Sequence, residues 1–163
     1  MKGVLYIRSM ESRTQITIYA VDMTSHLSRP VAGTPVRAGF PSPGQDYIDE
    51  SIDLNRYLVK HPASTFYARV EGLSMVGEGI DEGDILVIDR SLAPEEGDLA
   101  VCCVDGEFTL KRIRIVGSDR ILLMPSNPEF KPIEITADDE FSIWGIVTST
   151  IKLNRRRVHR QRL

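Results

Sequence analysis

Leu99-Ala-Val-Cys-Cys-Val-Asp-Gly-Glu-Phe-Thr-Leu-Lys-Arg-Ile-Arg-Ile115 contains two runs of strand composition separated by Asp105-Gly106. Asp-Gly between two such runs favours a two-residue type I′ turn, because both turn residues must adopt positive φ. The stretch therefore predicts a β-hairpin. Similar runs lie on either side: Phe66–Glu71, Ile85–Asp89, Ile121–Met124, Lys131–Ile135 and Phe141–Ile151. Turn signals separate them: Glu82-Gly-Asp84, Glu96-Gly-Asp98, Gly117-Ser-Asp119 and Ser126-Asn-Pro128. Short strands at regular spacing imply a mainly β fold, a compact domain built as a sandwich or a partly closed barrel. One short helix is expected after Asp53, an N-cap residue, running through Leu54, Tyr57 and Leu58 and ending before Pro62.

The chain divides into three parts. Residues 1–38 read as an extended arm with one strand run, Ile16–Val21, and a following stretch, Ser25–Gly33, broken by Pro30 and Gly33. That pattern does not accommodate a helix-turn-helix DNA reader. Phe40-Pro-Ser-Pro-Gly44 punctuates the junction with the β-rich body, residues 39–151. Residues 152–163 form a basic tail. The arm has five Lys/Arg and two Asp/Glu, the body nine and twenty-one, and the tail six and none. An acidic body with basic ends suits ends that dock on the body or on an anionic partner, or simply well-solvated faces. The tail has no aromatic residue for base stacking, so any nucleic-acid contact it makes is expected to be non-specific and directed at phosphates.

Composition narrows the class further. The 163 residues are 42% hydrophobic, enough for a packed core. No apolar run approaches the ~18 residues that would suggest a membrane helix, and Met1–Gln15 has no signal-like apolar stretch. The two cysteines are neighbours, Cys102 and Cys103, on opposite faces of a predicted strand. Two reduced thiols in a cytoplasmic setting are expected. No cofactor is expected: there is no CxxC pair, the three histidines are scattered, and Gly77–Gly83 does not fit a dinucleotide loop.

Two residues stand out chemically. Ser74 lies in Glu71-Gly-Leu-Ser-Met75, a Gly-rich turn after a strand, where a hydroxyl and nearby backbone N–H groups can converge on one point. Lys111 alternates with Thr109, Ile113 and Ile115 on one strand face. A lysine on an apolar face must be paired, reach solvent or lose its charge. A neutral lysine can take the proton of a serine hydroxyl as it attacks a carbonyl. Residue pattern alone leaves the alternative of a turn serine and a solvated lysine open. Ser149-Thr-Ile-Lys152 also has SxxK spacing, but in a strand-like run it is read as chance.

Gly72-Leu-Ser-Met75, Gly79-Ile-Asp-Glu-Gly-Asp-Ile-Leu-Val-Ile-Asp89, Gly97-Asp98 and Asp105-Gly-Glu-Phe-Thr-Leu-Lys111 together resemble the LexA/UmuD family of self-cleaving serine–lysine peptidases. Asp46-Tyr47 and Ile52-Asp-Leu-Asn55 resemble its UmuD-like branch, accessory subunits of error-prone DNA polymerases. The resemblance covers about residues 36 to 152, including the 37-residue separation of Ser74 and Lys111. It implies Ser74 as nucleophile, Lys111 as general base, and the backbone N–H groups of Leu73 and Ser74 as oxyanion donors. Arg37-Ala-Gly-Phe-Pro-Ser-Pro43 looks like the cleavage region, with the cut between Ala38 and Gly39. It further implies a homodimer, stimulation by a RecA–single-stranded DNA filament, and a UmuC-like DNA polymerase as partner in the SOS DNA-damage response. Leu73 departs from the acidic residue that many members carry there, the arm is longer than the branch suggests, and the tail lies beyond the match.

Three other classes compete. A non-cleaving dimeric binding module would keep the fold without the reaction. A signal-peptidase relative would use the same chemistry but want a membrane anchor. A LexA-like transcriptional regulator would act on DNA through the basic tail.

Overall fold

The computed structural model describes residues 16–24, 28–32, 48–117 and 120–154. Among the described residues there are ten strands: β1 Ile16–Ala20, β2 Ser28–Ala32, β3 Ile48–Asp53, β4 Thr65–Val70, β5 Ile85–Asp89, β6 Leu99–Val104, β7 Glu107–Val116, β8 Arg120–Met124, β9 Ile133–Ile135 and β10 Phe141–Ile151. Eight form one antiparallel sheet in the order β1-β4-β5-β10-β6-β7-β8-β9, and β2 pairs β3 in a separate ribbon. The fold is mainly β, as the strand periodicity predicts. The sheet is open, running from edge strand β1 to edge strand β9.

All seven strands expected between residues 65 and 151 form, several with the expected ends. The hairpin turns at Asp105 (φ 51°) and Gly106 (φ 81°), the paired positive dihedrals of a type I′ turn. Val104 and Glu107 close it as opposite residues. The strand expected from Lys131 begins only at Ile133, because Pro132 has no N–H for a ladder. Two strands go beyond the sequence expectation. Ser28–Ala32 is not broken at Pro30: it pairs β3, where Pro30 lies opposite Ser51. A two-stranded ribbon has only edges, so a proline is tolerated. The acid-rich Ile48–Asp53 has weak strand propensity and is held by that same pairing.

The short helix α1 spans Leu54–Leu58, and the Asp53 side chain accepts a hydrogen bond from the Asn55 backbone N–H at 3.0 Å. Its apolar residues do not enter the core: Leu54 and Tyr57 are exposed, and the buried residue is Val59, just past the helix end.

Two clusters make up the core. One joins Ala68, Val70, Met75, Ile80, Leu86, Ile88, Val101 and Leu110. The other joins Ala100, Cys102, Ile113, Leu123 and Ile146. Alternation along β6 sends Val101 to the first and Ala100 and Cys102 to the second. The sheet is thus covered by apolar contacts on both faces where β6, β7 and β10 run side by side. Cys102 is buried and Cys103 half-buried, both as free thiols.

Candidate active site

The turn after β4 is shaped by its glycines. Gly72 has φ 108° and leads into Leu73-Ser74-Met75. A single 3₁₀ turn follows at Val76–Glu78 and ends on Gly79 at φ 73°. Within it, Glu78 N–H donates to Met75 O at 3.0 Å and Gly79 N–H to Val76 O at 2.9 Å. The buried side chains of Met75 and Ile80 anchor the turn in the first core cluster. Ser74, next to the Met75 anchor, is 2% exposed.

A second segment clasps the turn. Ser126 N–H donates to Ser74 O at 2.8 Å, and Gly77 N–H donates to Ser126 O at 2.7 Å. The Asn127 side-chain Nδ2 donates to Leu73 O at 2.9 Å. The approach is close enough to require glycine: a Cβ on Gly77 would lie 2.3 Å from Ser126 O.

Lys111 lies near the middle of β7, opposite Ala100 of β6, and is 2% exposed. Its Nζ donates to Ser74 Oγ at 3.1 Å, to Thr109 Oγ1 at 2.7 Å and to Leu110 O at 3.0 Å. The structure thus brings together two residues 37 positions apart. Three oxygens around one nitrogen have a chemical consequence. As an ammonium, Nζ donates to all three. As a neutral amine it has two N–H groups, which Thr109 and Leu110 O satisfy, and one lone pair left facing the serine hydroxyl.

Burial pulls the Lys111 ammonium down to about 8 from its ordinary 10.5, because the charged form loses its hydration. A thiolate at Cys102 would oppose this, but burial pushes that thiol up to about 12, so it stays uncharged at neutral pH. At pH 7 about one Lys111 in ten is then neutral, against fewer than about one in a thousand at the ordinary value. Lys111 shares its strand face with buried Ile113, as alternation predicts, whereas Ile115 is 45% exposed where β7 leaves the core.

Thr109 and Lys111 open onto a cleft of about 590 Å³, whose apolar wall includes Phe108, Phe130 and Ile133. Ser74 is not among the residues that line it. Leu73 is half exposed at the rim of the turn. The cut expected at Ala38–Gly39 lies outside the described residues, as does the tail from residue 155 onward. Lys152, the lysine of the SxxK spacing, instead bonds Asp81 Oδ2 at 2.7 Å and Asp84 Oδ2 at 2.8 Å. Donating hydrogen bonds to Asp81 and then Asp84 raises its pKa, so it is no base at neutral pH.

Three contacts escape the sequence reading. Alternation predicts Thr109 on the Lys111 face, but no sequence pattern announces the bond that its Oγ1 accepts from Nζ. Asn127 and Ser126 carry only a turn signal, more than fifty positions from Ser74, and nothing local pairs them with it. His61 Nδ1 meets Asp89 Oδ2 at 2.5 Å in a cluster with Ser64 and Ser91. Burial would raise the Asp89 carboxyl, but hydrogen bonds from Ser91, His61 and Ser64 hold it near 2. Both serine hydroxyls donate to Asp89. The cluster ties the end of β5 to the segment just before β4.

Comparison with known proteins matches residues 30–148 to the Peptidase S24-like family. Protein MucA of Salmonella typhimurium is 43% identical over 117 residues, 71% of this chain and 79% of that protein. Protein ImpA of Escherichia coli is 38% identical over 127 residues, 78% and 86% of the two chains. The LexA repressor of Stenotrophomonas maltophilia is 36% identical over 129 residues, 79% of this chain but 57% of the repressor. A family match over most of the chain and these identities lead to one conclusion: this chain is a member of the Peptidase S24-like, or LexA/UmuD, family.

Proposed function

We propose that the protein is a UmuD-like autopeptidase in which Ser74 is the nucleophile and Lys111 the general base. The observation that carries this is the buried Lys111 Nζ at 3.1 Å from Ser74 Oγ. Burial without a carboxylate partner favours a neutral amine, and a neutral amine beside a hydroxyl is what this chemistry requires.

The reaction begins with Ser74 Oγ attacking the carbonyl carbon of Ala38 while its proton passes to Lys111 Nζ. The N–H groups of Leu73 and Ser74 stabilise the oxyanion. Collapse breaks the Ala38–Gly39 C–N bond, and Lys111 returns the proton to the departing amine of Gly39. Water, deprotonated by Lys111, then hydrolyses the Ser74 ester. Small side chains at Ala38 and Gly39 let the arm's backbone approach the serine closely. The buried Ser74 suits a chain that cuts slowly until an activator favours a conformer with the arm in place. On the likeness to UmuD-like proteins, that activator is a RecA–single-stranded DNA filament. The trimmed, dimeric body then serves as accessory subunit of a UmuC-like translesion polymerase in the cytoplasm.

Incubation between pH 7 and pH 10, followed by mass spectrometry, tests the proposal. The expected result is two fragments divided at Ala38–Gly39, formed faster as pH rises through about 8, and faster still with the filament. Ser74→Ala should stay intact. A Ser74→Ala chain that is still cut would remove the mechanism, and a wild-type chain left whole by the filament would favour the non-cleaving binding module.

A further inference from the structure

The nucleophile turn is held from outside by the segment after β8, and the geometry points to Asn127 as a positioning residue for the oxyanion site; this rests on the peptidase reading above. The argument starts from the planarity of the peptide bond. Leu73 C=O and Ser74 N–H belong to one rigid, trans unit and point in opposite directions. Whatever fixes the carbonyl also aims the N–H. Asn127 Nδ2 donates to that carbonyl at 2.9 Å. Ser74 C=O belongs to the next peptide unit, and Ser126 N–H donates to it at 2.8 Å. The peptides on both sides of the Ser74 Cα are therefore fixed by adjacent residues of one segment. Together they set the direction of the Ser74 N–H and the position from which Oγ leaves the backbone.

Asn127 has a second bond with a different purpose. Its Oδ1 accepts from Glu129 N–H at 3.0 Å, shaping its own turn. The two ends of one amide thus do separable things: the oxygen builds the Ser126–Glu129 turn and the nitrogen reaches across to the nucleophile. Aspartate has almost the same shape and keeps the acceptor. It lacks the donor, and it sets a carboxylate oxygen against the Leu73 carbonyl.

This separation gives the test. Self-cleavage of the full chain is measured from pH 7 to pH 11 for wild type, Asn127→Asp and Asn127→Ala, with thermal unfolding of each. If Asn127 positions the oxyanion donor, both variants lower the limiting high-pH rate by about tenfold or more. The pH midpoint of the Asn127→Ala chain stays at the wild-type value, and Asn127→Asp unfolds near the wild-type temperature. Wild-type speed in Asn127→Asp with a slow Asn127→Ala would assign the residue to its own turn and overturn the proposal. So would loss of folding in both variants. A wild-type chain that cuts while Asn127→Asp cuts equally fast sinks the positioning role alone. A wild-type chain that never cuts sinks the peptidase reading and this role with it.

Discussion

Two lysines of this protein have opposite surroundings. Lys111 is enclosed by hydroxyls, a carbonyl and aliphatic side chains, and burial lowers its pKa to about 8. Lys152 lies at the sheet's surface between Asp81 and Asp84, which raise its pKa. Lys111 is mid-strand in β7 and Lys152 immediately follows β10, and each has a Ser–Lys spacing to a serine upstream. They differ in burial and in the presence of carboxylates. An amine acquires basicity useful at neutral pH where the protein removes water and supplies neutral acceptors, and it becomes a permanent cation where the protein supplies anions.

The largest effect expected from breaking this contrast is at Lys111 itself. Lys111→Met should abolish cleavage and stabilise the fold at pH 7. The sign follows from the two states: the unfolded lysine titrates near 10.5 and the folded one near 8. Below pH 8 both states hold the proton and folding bears the full cost of the buried charge. From about 8 to 10.5 the unfolded chain holds more protons, so wild-type stability rises with pH. The variant's advantage should be about 3 kcal/mol at pH 7 and vanish above pH 10.5. Urea unfolding in a Ser74→Ala background at the two pH values measures it.

Thr109→Asp comes next, since it would give Lys111 the kind of neighbour Lys152 has. The midpoint of cleavage should move up by about one unit or more, with a roughly tenfold slower rate at pH 7. A pH–rate profile with an unmoved midpoint would show that Thr109 does not govern the amine. The smallest effect belongs to Lys152→Ala. Lys152 is solvent-accessible, and the buried Asp84 keeps the Asp81 N–H as a second donor, so unfolding should shift only slightly and the cutting rate should not change. A large loss of cleavage there would mean that the two lysines are coupled.

Much of this was legible in the residues. Strand composition between turn signals places seven strands, and Asp105-Gly106 places the hairpin that carries Lys111. Both follow from local sterics, which a sequence records directly. The β2–β3 ribbon was not legible, because Pro30 and the acid-rich Ile48–Asp53 argue locally against strands and only their pairing makes them so. The candidate site divides in the same way. Ser74 and Lys111 were conspicuous as types: a serine in a glycine turn and a lysine among isoleucines. Their resemblance to a known motif paired them. The Asn127–Leu73 bond and the grip of Asp81 and Asp84 on Lys152 connect residues 54, 71 and 68 positions apart. Such contacts exist only after the sheet has assembled, and no local pattern announces them.

Strand β1 belongs to the arm, yet it runs antiparallel to β4 along five residue pairs, from Ile16 opposite Val70 to Ala20 opposite Phe66. Severing the chain after Ala38 would leave the arm held by two ladders, β1 on β4 and β2 on β3, of five pairs each. Ladders that short hold a detached β1 weakly in water. Its departure would bare the outer hydrogen-bonding row of β4, the strand that feeds directly into the nucleophile turn. An uncapped row of that kind accepts a new strand from another polypeptide. The cut would then do more than shorten the protein: it would convert an internally sealed margin into an adhesive one, so that proteolysis and partner recruitment become a single event.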